Sequence, residues 1–158
     1  MANSAPTPGS LVLVDSSALV YLVEGAPGSP RRSAVERLLG EAETGGLRFV
    51  ASTMAWTELL EKPRAERDTA LADRYRALLS DSRRLELRVV DVAVADRAAL
   101  LWASLSPPLR RRLSTADIIH IATALVAGAT AVLGNDDAWR DVPSCPPLLL
   151  VDELAFGE

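Results

Sequence analysis

Short apolar blocks alternate along the chain with longer stretches whose apolar residues recur every three or four positions. Leu11 to Val14 is the first block and ends at Asp15, the pattern of a strand buried on both faces. Ser16 and Ser17 open a short apolar helix over Ala18 to Val23, and Gly25-Ala26-Pro27-Gly28-Ser29-Pro30 reads as a loop. Ala34, Val35, Leu38, Leu39 and Ala42 predict a helix from Arg31 to Thr44, stopped by Gly45-Gly46 ahead of a strand over Leu47 to Ala51. Ser52 or Thr53 then caps a helix that reaches Glu61 and is halted by Pro63. A further amphipathic helix covers Ala65 to Leu79, followed by a strand over Leu85 to Val90 and a helix from Ala93 to Leu105, broken by Pro107-Pro108. Ser114 to Ala127 is a strongly apolar helix ended by Gly128; Thr130 to Leu133 and Leu148 to Val151 are the last two strands.

Buried strands alternating with helices predict a parallel sheet of four to five strands covered on both faces, a three-layer α/β/α sandwich. Residues 1–10 read as a flexible tail and residues 11–158 as one domain. The helix pair between the second and third strands exceeds what one crossover needs, so it is expected to protrude as an arm or clip beside the sheet.

Composition narrows the chemistry. The chain has 158 residues, 49% of them hydrophobic, enough for a sizeable core. Its 21 acidic and 17 basic residues leave a net charge of −4, which argues against a passive nucleic-acid-binding surface. One cysteine, Cys145, and one histidine, His120, exclude an internal disulfide and a Cys/His zinc site. Any bound metal must therefore be held mainly by carboxylates and water, which suits a hard ion such as Mg²⁺ or Mn²⁺. The short, polar N-terminus and the lack of a long apolar run lead us to expect a cytoplasmic protein.

In open parallel sheets, ligands bind beyond the carboxyl ends of the strands. Four acids from distant segments fall there: Asp15 after the first strand, Glu58 one turn into the helix after the second, Asp117 in the first turn of the helix before the fourth, and Asp136 after the fourth, with Asp137 beside it. Each has an ordinary reading as well. Asp15 suits an Asx turn, Glu58 a solvated helix face, Asp117 the last position of a Ser114-Thr115-Ala116-Asp117 capping box, and Asn135-Asp136-Asp137 a turn. Their conjunction favours chemistry, because clustered carboxylates repel one another unless a cation neutralises them.

The motifs Asp15-Ser16-Ser17-Ala18, Thr57-Glu58, Ala116-Asp117-Ile118-Ile119-His120-Ile121-Ala122-Thr123 and Leu133-Gly134-Asn135-Asp136 resemble those of the PIN-domain ribonucleases. The likeness is closest to the VapC toxins of bacterial toxin–antitoxin pairs and spans residues 11–151. Gly134 departs from the family, which often carries threonine or serine before Asn-Asp.

The resemblance implies a PIN-like fold and a metal-dependent endoribonuclease with Asp15 and Asp117 as the main Mg²⁺ or Mn²⁺ ligands. Glu58 and Asp136 would complete the site directly or through water, with Asp137 competing for the fourth place, and either Glu58 or Asp136 could orient the attacking water. Ser16 would orient Asp15 or touch substrate, and Asn135 would lie beside the ligands or the substrate. The implied partners are RNA, a VapB-like antitoxin gripped by the clip, and a second copy of the chain. His120 reads as a structural imidazole, and the arginine groups 31–32, 83–84 and 110–112 with Arg140 as solvated surface. Trp56, Trp102 and Trp139 read as core or dimer residues. Two rivals are an inactive PIN-like binding module and a phosphoacceptor signalling domain; the second would want a lysine after a late strand, and the single Lys62 lies elsewhere.

Overall fold

The computed structural model describes residues 6–157. Its strands are β1 (Ser10–Val14), β2 (Leu47–Ser52), β3 (Glu86–Arg88), β4 (Ala131–Gly134) and β5 (Leu148–Leu150), all parallel in one sheet of order β3-β2-β1-β4-β5. Val12 pairs with Phe49 on one side and Ala131 on the other, so β1 is central. The chain builds outward from β1 through β2 and β3, then returns to lay β4 along its other edge. That reversal puts a crevice at the carboxyl ends of β1 and β4.

Helices cover both faces. Between β1 and β2 lie α1 (Ser16–Glu24) and α2 (Pro30–Gly40), and between β2 and β3 lie α3 (Thr53–Ala65) and α4 (Thr69–Ser80). Before β4 come α5 (Val92–Ser104), α6 (Pro107–Arg112) and α7 (Thr115–Ala127), and α8 (Val151–Phe156) follows β5. Alternate strand residues point to opposite faces. Val12 and Val14 therefore join Leu19, Leu39, Leu59, Leu60 and Tyr75 in one core. Leu13, Val50 and Val132 join Leu101, Ile118, Ile121 and Trp139 in the other. The expected three-layer architecture and five-stranded sheet are what the chain adopts.

Several boundaries differ from the sequence expectation. Pro63 does not halt its helix: α3 runs on to Ala65, with the ring buried. A proline near the end forfeits one backbone bond, and here burial of the ring offsets that loss. Pro107-Pro108 breaks one helix and starts another, since proline suits the first turn, where its missing N–H has no intrahelical partner. Val151 opens α8 instead of closing a strand. The α3–α4 pair is no free arm, because Leu59, Leu60, Leu71, Ala72, Tyr75 and Leu79 bury its inner face. Its outer face, with Thr57, Glu61 and Asp73, and the turn around Arg64 to Asp68 are exposed.

Of the expected tail, residues 1–5 lie outside the described residues. Ser10 belongs to β1, and the Gly9 N–H donates to the Gly46 carbonyl at 2.7 Å. Gly128 ends α7 at φ 72°, a left-handed position that favours glycine. Among the described residues, no helix is long and apolar enough to cross a membrane.

Leu133 is fully buried at the centre of the sheet. Leu133→Ala should cost about 2–5 kcal/mol in chemical denaturation; a loss too small to resolve would contradict this packing.

Candidate active site at the carboxyl edge of the sheet

Asp15 ends β1 and caps α1. Its Oδ2 accepts the Ser17 backbone N–H at 3.2 Å and the Ser17 hydroxyl at 2.6 Å, while its own N–H donates to the Leu133 carbonyl at 2.8 Å. An N-cap carboxylate accepts from the second or third helical residue, so the orienting serine is Ser17. The Ser16 hydroxyl makes no hydrogen bond among the described residues. Recognising Asp15 as an N-cap would have selected Ser17 from the sequence.

The Asp15 residue is only 8% exposed. Burial pushes its carboxyl pKa up and the Glu58 charge adds to the rise, against the opposing pull of His120 and Ser17. Gly134 lies against it: a Cβ there would stand 3.3 Å from the Asp15 Cβ. The glycine that departs from the family pattern thus leaves room for this buried carboxylate.

His120 is fully buried on α7. Its Nε2–H donates to Glu58 Oε1 at 2.5 Å, and the same nitrogen stands 3.7 Å from Asp15 Oδ1. The ring stacks on Trp139 with centroids 6.2 Å apart, and among the described residues Nδ1 has no hydrogen-bond partner. Burial opposes the charged imidazole, but the Glu58 hydrogen bond and the charges of Asp15, Glu58 and Asp117 together raise its pKa above 6.5. The sequence does not show this contact directly. The available signal was His120 three positions after Asp117, on a neighbouring part of the helix surface.

Asp117 performs the capping role that its sequence context also allowed. Its Oδ2 accepts the Ser114 N–H and hydroxyl at 2.6 and 2.7 Å, and among the described residues its Oδ1 accepts only the Trp139 indole N–H, at 3.3 Å. Asp136 caps the 3-10 helix Asp137–Asp141 through the Ala138 N–H at 2.9 Å. Asp137 is exposed and accepts from Arg112 at 3.2 Å. Asn135 links elements: its amide donates to the Tyr21 hydroxyl, and its carbonyl oxygen accepts the Asp152 N–H, each at 3.1 Å.

The crevice thus gathers Asp15, Glu58 and His120 directly, with Asp117 joined through Trp139 and its charge felt at His120. Asp136 follows β4; among the described residues, no hydrogen bond ties the Ser16 hydroxyl or the Asp137 carboxylate, which accepts from Arg112, to this group. Among the described residues, no three His, Cys, Asp or Glu side chains already form a metal cage. The donor chemistry nonetheless fits a hard cation: Asp15 is a buried acid short of positive charge, and Oδ1 of Asp117 carries a single long bond.

The arginine groups are mostly committed elsewhere. Arg31, Arg32, Arg83, Arg84, Arg112 and Arg140 pair with acids of the same chain, and Arg110 donates to the carbonyls of Ala103 and Leu105. Trp139 is a core residue, as expected, whose indole also serves Asp117.

A parallel α/β/α sandwich with acids at its switch point defines a broad class of hydrolytic and phosphate-handling proteins. The PIN domain family model matches residues 12–144, and the chain belongs to that family. Solved structures agree in fold. VapBC2 from Rickettsia felis, bound to a DNA fragment from its promoter, superposes with a TM-score of 0.68 at 15% identity, covering 89% of this chain and 98% of that one. DNA-bound VapBC from Salmonella typhimurium gives 0.63 at 17%, covering 90% and 98%. VapBC-1 from nontypeable Haemophilus influenzae gives 0.62 at 14%, covering 89% and 98%. A search of curated proteins gives no match.

The raised pKa values set a pH dependence. Stability from the His120 imidazolium is complete below about pH 6.5, its value in an unfolded chain, and is lost as pH rises through the higher folded value. Asp15, also raised, acts in the same sense. Thermal melts of metal-free protein should give a falling Tm from about pH 6 to about pH 8, flattened by His120→Gln. A rising Tm would contradict the assignment.

Proposed function

We propose that the protein is a Mg²⁺- or Mn²⁺-dependent endoribonuclease and the toxin of a VapBC-type toxin–antitoxin pair. The observation that carries the reading is the buried Asp15 carboxylate at the switch point, with Glu58 and Asp117 grouped around the same histidine, in a PIN domain chain. Asp15 and Asp117 would hold the ion, and Glu58 and Asp136 would complete its shell directly or through water. The bound cation would draw in a phosphate oxygen, lower the pKa of a water and stabilise the leaving 3′ oxygen.

The chain's own residues do the rest. Ser17 fixes the Asp15 carboxylate through two hydrogen bonds. The Ser114 capping box fixes one Asp117 oxygen and leaves the other held only by the Trp139 indole. Glu58 keeps Oε1 on His120, so Oε2 is free to accept a proton from the attacking water. Products carrying 5′-phosphate and 3′-hydroxyl ends follow from that direction of attack. Asp137, paired with Arg112, is the weaker choice for the fourth acid.

A VapB-like antitoxin, a homodimer and a cytoplasmic location belong to the same reading. The likeness of the fold to chains of VapBC complexes supports the antitoxin partner. The inactive-module alternative is favoured by one observation, that both Asp117 oxygens accept hydrogen bonds within the protein.

Purified protein should cut RNA only when Mg²⁺ or Mn²⁺ is added. Asp15→Asn and Asp117→Asn should each lower the rate by about 100-fold or more, with circular dichroism unchanged. Metal-dependent binding of RNA without cutting would favour the inactive module, and cutting that survives both substitutions would remove the proposed site. Induced expression should arrest growth, and a co-expressed antitoxin encoded beside the gene should relieve the arrest; normal growth on induction would count against the toxin role.

A further inference from the structure

We propose that His120 is a positioning residue for this reaction: it fixes the Glu58 carboxylate beside Asp15 without touching substrate. The proposal rests on the nuclease reading above and adds a residue to it. Glu58 leaves α3 among exposed neighbours, Thr57 and Glu61, and its side chain is 34% exposed. Among the described residues, its one hydrogen bond to a side chain is the one from His120 Nε2. An unrestrained glutamate has several rotors, and freezing them carries an entropic cost. A second carboxylate delivered at a set place near a buried Asp15 therefore needs a partner that is itself immobile.

His120 meets that need. It is buried on α7 and stacked on Trp139, and its Nε2 faces Glu58 and Asp15 together. The bond also joins opposite layers of the sandwich. The core of α3 lies on one face of the sheet with Leu59 and Leu60, and that of α7 on the other with Ile118 and Ile121. The contact crosses at the sheet's carboxyl edge, where the acids are.

A packing role alone does not account for a histidine here. Its buried neighbours on α7 are Ile118, Ile121, Ala122, Thr123 and Ala124, and the Thr123 hydroxyl is satisfied by the Ile119 carbonyl at 2.7 Å. His120 instead leaves Nδ1 buried without a partner, and an unpaired polar atom is a net cost to the fold. A leucine would fill the space without that cost. The interaction gained in exchange is the one with Glu58.

The test is Mn²⁺ affinity, measured by calorimetry and by electron paramagnetic resonance without RNA, on folded wild type and variants. Residues that orient a ligating side chain typically change metal affinity by about 10–100-fold. His120→Leu, and His120→Asn, which is too short to reach Glu58, should weaken Mn²⁺ binding by about that factor. His120→Gln, whose amide N–H can replace Nε2–H, should restore most of it. In a Glu58→Gln background, His120→Leu should cause no further loss, because the histidine acts through Glu58.

Unchanged affinity in both His120→Leu and His120→Asn would overturn the proposal, as would additive losses in the double variant or failure of His120→Gln to restore binding. Wild-type protein that takes up no Mn²⁺ would overturn the metal-dependent reading and this proposal with it. Wild type that binds Mn²⁺ while its affinity ignores residue 120 would overturn this proposal alone.

Discussion

A carboxylate at the end of the central strand of an all-parallel sheet has strands on both sides and helical layers above and below, so water cannot surround it. Asp15 occupies that position, between β2 and β4. Its charge must be compensated from within, and much of the crevice can be understood as that compensation. Ser17 supplies two hydrogen bonds, the His120 Nε2 stands 3.7 Å away, and Gly134 withholds a side chain that would crowd the acid. The same lack of solvent makes the site receptive to a divalent ion, which would supply the charge most completely.

The rest of the fold keeps this edge in register. Asn135 ties the end of β4 to Tyr21 of α1 and to the start of α8. Asp152 of α8 is bound in turn by Arg31 of α2, whose guanidinium lies 5.4 Å from the centres of both the Tyr21 and Phe156 rings. The Arg31 hydrogen bond, helped by its charge, holds the Asp152 carboxyl below its ordinary range. Residues far apart in sequence thereby fix the strand ends from which the acids project.

Much of this was legible beforehand. Apolar runs at 11–14, 47–51 and 130–133 located the three central strands, and the apolar surface of 114–127 located α7. The positions of Asp15, Glu58, Asp117 and Asp136 relative to strand ends placed them near one edge. The sequence was less informative where local rules compete with tertiary packing. Pro63 resembles a stop signal, yet burial carries α3 past it; Val151 is strand-like by composition, yet it begins a helix. The choice of Ser17 over Ser16 depends on cap geometry. The bond between His120 and Glu58 joins opposite layers, which no periodicity within one helix can reveal.

Whether Asp15 anchors a cation is the central question, and a crystal grown with MnCl₂ and measured at the manganese absorption edge answers it most directly. An anomalous peak is expected within coordination distance of the Asp15 carboxylate, with Glu58 still bonded to His120. A peak confined to surface acids, or none at the crevice, would contradict it.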